Sequence, residues 1–302
     1  MKQMDVIGLG YAGWDYLGIV PQTPQFDAST MTLAGFARSG GGPAATALVT
    51  LARLGARTGY LGVLGDDESG KQALADLRHK GVDTSHVVIR PGARSHTCMV
   101  LVEAATGRRS ILCERGTLGK LVLTLADHRY ISNARFLHLD GQFMDAAITA
   151  ARWAKKSGVR VSLDANRPRP QLDKLLPLVH VLITSTGFPA AFTGLADLTQ
   201  AMRALRAAGP ETVVVTLGQE GCTYLEGDKS RHVPAYPVKV IDTTGAGDAF
   251  HGAYLFGLLQ GWQGRQTARF ANAVAGLNCR ALGGRAALPT LTEVQAFLRQ
   301  MG

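Results

Sequence analysis

The sequence predicts an α/β protein: a mainly parallel central sheet covered by helices on both faces, with a small β-sheet lid beside it. Three observations carry this expectation. Short apolar runs alternate with helical patterns along most of the chain, two extended segments interrupt the alternation, and 302 residues, 46% of them hydrophobic, suffice for one large core.

In chain order, "MDVIGLG" is a short buried strand. "PAATALVTLARLGA" repeats apolar residues at i, i+3 and i+4 and stops at a glycine, which marks a helix. "RTGYLGVLG" is strand-like, and "SGKQALADLRHKGV" is again a helix ended by glycine. "FLHLDG", "DAAITAARWAKKSGV", "RVSLDA", "VHVLITS", "LTQAMRALRAAG" and "ETVVVTLG" follow as strand, helix, strand, strand, helix and strand. Residues 12–38 contain proline, threonine and aromatics without a helical period. Residues 94–116 predict a hairpin turning at Ala105-Thr106-Gly107. The expected division is a main domain of 1–11, 39–93 and 117–302 with a lid of 12–38 and 94–116.

Bulk properties narrow the function. The net charge of +9 comes from scattered Lys and Arg; the densest clusters, Arg108-Arg109 and Arg167 with Arg169, lack interleaved aromatics. This reads as an ordinary solvated basic surface, one that favours phosphorylated ligands over nucleic acid. No apolar run is long enough for a membrane span, and the N-terminus lacks a signal peptide's apolar region. Cys98, Cys113, Cys222 and Cys279 are widely spaced, which argues against a disulfide framework and for a reducing cytoplasm.

Two phosphate-like motifs fail on context. "GLGYAG", Gly8 to Gly13, fits a dinucleotide fingerprint, with Asp27 near the ribose-binding position. Yet Pro21 and Pro24 forbid the helix that should follow. "GDDESGKQ" approximates a phosphate loop but puts Asp66, Asp67 and Glu68 where phosphate should sit. It predicts a helix N-terminus with acids complementing the dipole.

"DTTGAGDAFHGAYLFGLLQG" carries the chemistry. Gly245, Ala246 and Gly247 precede a helical apolar pattern, so free N–H groups and the helix dipole make an anion hole. Asp248 projects from the first turn to the same spot. A base beside an anion hole suits phosphoryl transfer to an alcohol; a plain helix-start acid is the alternative.

With "GGGPAATALVTLARLGA" (40–56), "VVVTLGQEGC" (213–222) and "ANAVAGLNCRALGGRAALP", the stretch "DTTGAGDAFHGAY" (242–254) resembles the PfkB or ribokinase-like carbohydrate kinases over essentially the whole chain. The resemblance implies a ribokinase-like three-layer α/β/α fold with a β-sheet lid that pairs in many members into a homodimer. It implies ATP and Mg²⁺, with K⁺ near Asp242 and Thr244, and Asp248 as catalytic base. Asp15, Gly41, Gly42, Thr46 and Gln142 then belong to the sugar side. Asn166 and Arg167 are expected near substrate or phosphate. Thr216, Gly218, Gly221, Thr243 and Asn272 belong to the nucleotide side. Two departures stand out. Ser185 and Phe188 replace the family's Asn-x-x-Glu pair that orders Mg²⁺, and Thr46 replaces an Asn that often touches the sugar. The opening and closing motifs look most like the branch of sulfofructose and related ketose kinases. Candidate pocket-facing groups for an anionic sugar are Arg109, Arg115, His138 and Gln142. A nucleoside kinase, with Tyr11, Trp14, Tyr16 and Phe36 clamping the base, and a weakly catalytic sensor are the alternatives.

Overall fold

The computed structural model describes residues 3–25 and 30–302. Asp27 lies outside them. Nine strands form the main sheet: β1 (Met4–Leu9), β4 (Thr58–Gly65), β5 (Asp83–Arg90), β8 (Ala134–Leu139), β9 (Arg160–Ala165), β10 (Val181–Ser185), β11 (Thr212–Thr216), β12 (Cys222–Glu226) and β13 (Lys229–Val233). Their order is β13-β12-β11-β10-β9-β8-β1-β4-β5. All pairs are parallel except β11–β12 and β12–β13, which extend one edge as an antiparallel hairpin.

The strands read as continuous apolar runs because both faces are covered, and alternate residues feed different cores. On one face Val6, Phe136, Ile183 and Val214 pack against helices α1 (Pro43–Arg53), α2 (Glu68–His79), α8 (Ala246–Leu259), α9 (Gly264–Asn278) and α10 (Leu291–Met301). On the other, Ile7, Leu137, Leu182, Val213 and Val215 meet α4 (Met144–Lys156), α6 (Phe188–Thr193) and α7 (Leu198–Ala207). Two further helices, α3 (Leu125–Ser132) and α5 (Leu172–Leu175), complete that layer. The acids of "GDDESGKQ" do start a helix: Asp67 caps α2, accepting from Gly70 N at 3.0 Å.

A second, four-stranded sheet stands apart. It comprises β2 (Gly13–Val20), β3 (Gly35–Gly41), β6 (His96–Glu103) and β7 (Arg109–Glu114) in the order β3-β2-β6-β7. β2 and β6 run parallel, and the other pairs are antiparallel. β3 runs three residues past the expected lid boundary, because its ladder with β2 continues to the Gly13–Gly41 pair.

The hairpin corrects the cysteine reading. Cys98 and Cys113 are direct partners on β6 and β7, with Cα atoms 4.2 Å apart, and their sulfurs are bonded. The two positions are symmetric about the turn at residues 105–106, so the sequence held this signal in its hairpin rather than in its cysteine spacing.

Candidate active site

The carboxyl ends of the parallel strands, the start of α8 and the inner face of the small sheet enclose a cavity of about 550 Å³. Parallel α/β sheets place ligands at this end, where helix N-termini and loops converge.

Asp248 and Asp15 face this cavity from opposite domains. Gly245 sits at φ 71° before α8, a left-handed conformation that crowds any Cβ, and here a Cβ would also lie 2.5 Å from Gly284 O. Ala246 N–H turns away, donating to Thr243 O at 3.3 Å, so it does not join the anion hole expected of it. The N–H groups of Gly247 and Asp248 have no acceptor among the described residues. Gly247 faces open space. Asp248 is half-buried in the cavity wall. Burial pushes its pKa up to about 6, against the pull of Arg109 and Arg285 and with a further push from Asp140. Asp15, on β2, is also pushed up to about 6 by burial, opposed by Arg285 and reinforced by Asp248.

Behind these carboxylates lies a cation that sequence reading missed. Arg285 is 3% exposed, and its guanidinium is satisfied on three sides. Nε donates to Thr46 Oγ1 at 3.1 Å, Nη1 to Asp76 Oδ2 at 2.6 Å and Nη2 to Gly41 O at 2.7 Å. This corrects Thr46: its hydroxyl serves Arg285 beneath the surface and does not line the cavity. Gly41 also acts from behind, since a Cβ there would lie 2.1 Å from an oxygen of Asp15.

A second missed group ties the sugar-side loops together. Asp140, at the end of β8, accepts from Tyr11 N at 2.7 Å, Gln142 N at 3.0 Å and Ala44 N at 3.3 Å. Gly10 leaves the room, since a Cβ there would fall 2.2 Å from Asp140 Oδ2. The glycine pattern that mimicked a dinucleotide fingerprint thus serves close packing. Asp164 and His251 form a third unforeseen pair, with His251 Nε2 3.5 Å from Asp164 Oδ1. Burial drives the Asp164 pKa well up, aided by Asp248 and Asp140, and drives that of His251 well down, with a further push from His138.

Among the other expected residues, Gly42, Gln142, Asn166, Arg167, Thr216 and Thr244 line the cavity, and so do Arg109 and Arg115. His138 does not: it is fully buried on β8, its pKa pushed down to about 4 by burial, with Nδ1 3.3 Å from Ser162 Oγ. Alternate residues of a strand point to opposite faces; His138 shares the face of Phe136, where its ring lies 5.7 Å from that of His251 on α8. Of the aromatics proposed as a base clamp, Tyr11 lines the cavity and stacks on His96 with centroids 4.3 Å apart. Trp14, Tyr16 and Phe36 do not line it; Phe36 is 57% exposed, with Arg38 over its ring.

On the nucleotide side, Gly218 and Gly221 shape the turn between β11 and β12 at φ 61° and 94°. Asn272 spends its amide on Val233 O and Pro234 O, at 3.0 and 3.1 Å, and lies outside the cavity wall. Thr243 accepts from Arg109 Nη1 at 2.6 Å. Asp242 is buried; Oδ1 accepts from Thr244 N and Oγ1 and Oδ2 from Gly283 N, which orders the loop before α8. Ser185 reaches the cavity, whereas Phe188 is fully buried and stacked on Phe192, so no oxygen is available at that position.

Comparison with known proteins identifies the family and the fold. Residues 10–291 match the pfkB family carbohydrate kinases. The chain is 29% identical over 301 residues to ribokinase of Haemophilus influenzae, covering 96% of this chain and 97% of the relative. It is 31% identical over 297 residues to the ATP-dependent ribose-1-phosphate kinase of Halopiger xanaduensis, covering 98% of each. Ribokinase of Arabidopsis thaliana, solved in complex with ribose and ATP, shares the fold with a TM-score of 0.84 at 24% identity over 98% of this chain and 99% of that one. With a family match across nearly its whole length, the ribokinase fold and a cavity joining a helix start to a lid, the chain belongs to the pfkB family of carbohydrate kinases and is an ATP-dependent sugar kinase.

Proposed function

We propose that this kinase transfers the γ-phosphoryl group of ATP to a hydroxyl of a sugar held between Asp15 and Gln142, with Asp248 as general base. The observation that carries the reading is that Asp248, the unbonded N–H groups at the start of α8 and Asp15 share one cavity. Asp15 accepts sugar hydroxyls from the lid side. Asp248 takes the proton of the attacking hydroxyl. The N–H groups of Gly247 and Asp248 receive the transferring phosphoryl oxygens, and the Arg109 guanidinium lies on the same side. We assign Thr216 and Ser185, which line the same cavity, to the nucleotide end, and Asn166 to the meeting point of substrate and phosphate.

Mg²⁺ bound with the nucleotide would neutralise phosphate charge. The donors present fit it through water: Ser185 and Asn166 offer neutral oxygens at the cavity, and Phe188 offers none. K⁺ is supported by the buried Asp242, which is paired with no Lys or Arg among the described residues. The exposed apolar side chains Phe36, Met99 and Leu112 of the lid support a homodimer formed through that sheet.

A second reading concerns the sugar. Arg169 Nη1 donates to Gln142 Oε1 at 3.3 Å, and Arg115 lies near enough to Tyr11, His96 and Arg169 to influence each of them. Neither arginine is ion-paired with a carboxylate among the described residues. Two such cations lining the cavity with Gln142 favour a sugar carrying a phosphate or carboxylate. The experiment is ADP release with ATP on a panel of neutral sugars, sugar phosphates and sugar acids, repeated with Arg115→Ala. A reading without kinase activity would give no sugar-dependent ADP. A neutral substrate unaffected by Arg115→Ala would remove the anionic reading alone.

A further inference from the structure

We propose that, once its disulfide is reduced, the lid binds a zinc-class divalent cation through Cys98, Cys113 and His96, at the wall of the cavity beside Asp15. His96 and Cys98 are two residues apart on β6 and so project to the same face, and Cys113 opposes Cys98 across the hairpin. His96 Nε2 lies 3.3 Å from Cys98 Sγ, and the three potential ligand atoms lie within 4.8 Å of one another. Zinc–sulfur bonds of about 2.3 Å and zinc–nitrogen bonds of about 2.0 Å in a tetrahedron need ligand separations of about 3.4–3.8 Å. The cluster meets that range once the two sulfurs part by a small side-chain rotation. His96 is 8% exposed, and its ring is clamped against Tyr11, so little freedom is lost on ligation. Two thiolates and an imidazole form a soft donor set, which selects zinc-like ions over Mg²⁺.

The fourth tetrahedral position opens into the cavity, since all three residues line it. Asp15 is the ladder partner of Cys98 on the neighbouring strand and lines the same cavity. A cation there stands against the carboxylate that we assign to the sugar, so metal and sugar compete. That competition rests on the proposed sugar site; metal binding itself does not.

The site exists in one redox state only. A dithiol reductant supplies two electrons and two protons. The Cys98–Cys113 bond breaks, two thiols form, and the reductant closes to its own disulfide. Metal ligation then releases the two thiol protons. In the disulfide neither sulfur is a thiolate, and the donor set is reduced to His96. Cys222 and Cys279 do not substitute: both are buried, and burial pushes their thiols up to about 12 and about 11.

The test uses Co²⁺ as a spectroscopic probe. Wild type is reduced anaerobically, freed of reductant and titrated. The expected result is a thiolate-to-cobalt charge-transfer band saturating at one Co²⁺ per chain and abolished by Zn²⁺. It should be absent from the oxidised protein and from Cys98→Ser/Cys113→Ser, and His96→Ala should weaken binding at least tenfold. Circular dichroism confirms that each variant is folded. A reduced wild type without the band, or an equal band from the double variant, overturns the proposal. Kinase assays separate the two readings. A rise in sugar KM with Zn²⁺ in reduced enzyme alone supports both. The cobalt band without that rise supports the metal site and removes the sugar from Asp15.

Discussion

Replacing Asp248 with asparagine is expected to stabilise the protein while disabling it. The substitution keeps the side chain's shape and removes its charge. Burial raises the Asp248 pKa from 3.8 to about 6, so holding the ionised form in the fold carries a penalty absent from the unfolded chain. Two units correspond to about 3 kcal/mol as a ceiling. Asp248 is only half-buried, and solvent in the cavity screens it, so about 1–2 kcal/mol is the working figure. The sign follows from linkage. Between about pH 4 and 6 the folded state binds more protons than the unfolded state, so this group's contribution to stability falls as pH rises through that window. Wild type and Asp248→Asn should therefore be nearly equal in stability near pH 4, and the variant should lead by a constant margin above pH 6.5. The assay is urea unfolding from pH 4 to 8 with a coupled ADP assay alongside. Turnover should fall by about 10²–10⁴-fold, the usual loss for a general base. A variant less stable than wild type at pH 7.5, or a margin independent of pH, refutes the electrostatic argument. Near-normal turnover refutes the base assignment.

Four other substitutions follow from the same reasoning. Asp15→Ala should raise the sugar KM with little change in the ATP KM, since each charge-assisted hydrogen bond contributes about 1.5–3 kcal/mol; steady-state kinetics with both substrates varied decides it. Arg285→Met removes the cation that opposes the upward pKa shifts of Asp15 and Asp248. The acid limb of the kcat/KM profile should move from about pH 6 to higher pH, and an unmoved limb would deny Arg285 that influence. Ser185→Asn should lower the free Mg²⁺ needed for half-saturation at fixed MgATP in K⁺ buffer, by supplying a longer donor at the cavity. Phe188→Glu should instead cost stability by several kcal/mol, because it buries a carboxylate among apolar side chains; thermal unfolding of each single variant separates the two effects.

Local patterns exposed much of this in the sequence, and distance in the chain hid the rest. The parallel strands, the helix after Gly-Ala-Gly and the lid hairpin were legible because each is written within about twenty residues. The place of Asp248 at the start of α8 was legible for the same reason, since it follows from the immediate neighbours of that residue. Asp140 was not: its partner Tyr11 is 129 residues away, and nothing in "FLHLDG" marks it beyond its place at a strand's end. Arg285 and Thr46 are 239 residues apart, so a hydroxyl expected to meet sugar was found holding a guanidinium. Asp164 and His251 sat inside stretches that were read for other residues. Strand-ending acids at the carboxyl edge of a parallel sheet were the available signal for both Asp140 and Asp164.

The lid is fastened to the machinery that it covers. Thr243, in the loop leading into α8, accepts from Arg109 on β7 and donates to Gly107 O at the hairpin turn, at 3.3 Å. Any swing of the hairpin that widens the mouth must break both bonds, and the loop whose amides we assign to phosphate then loses its brace. Admission of one substrate and readiness to act on the other therefore share a single coordinate. On the assignment proposed above, the loop before α8 is under full restraint only while the hairpin is shut over the sugar, which would work against spilling ATP onto water.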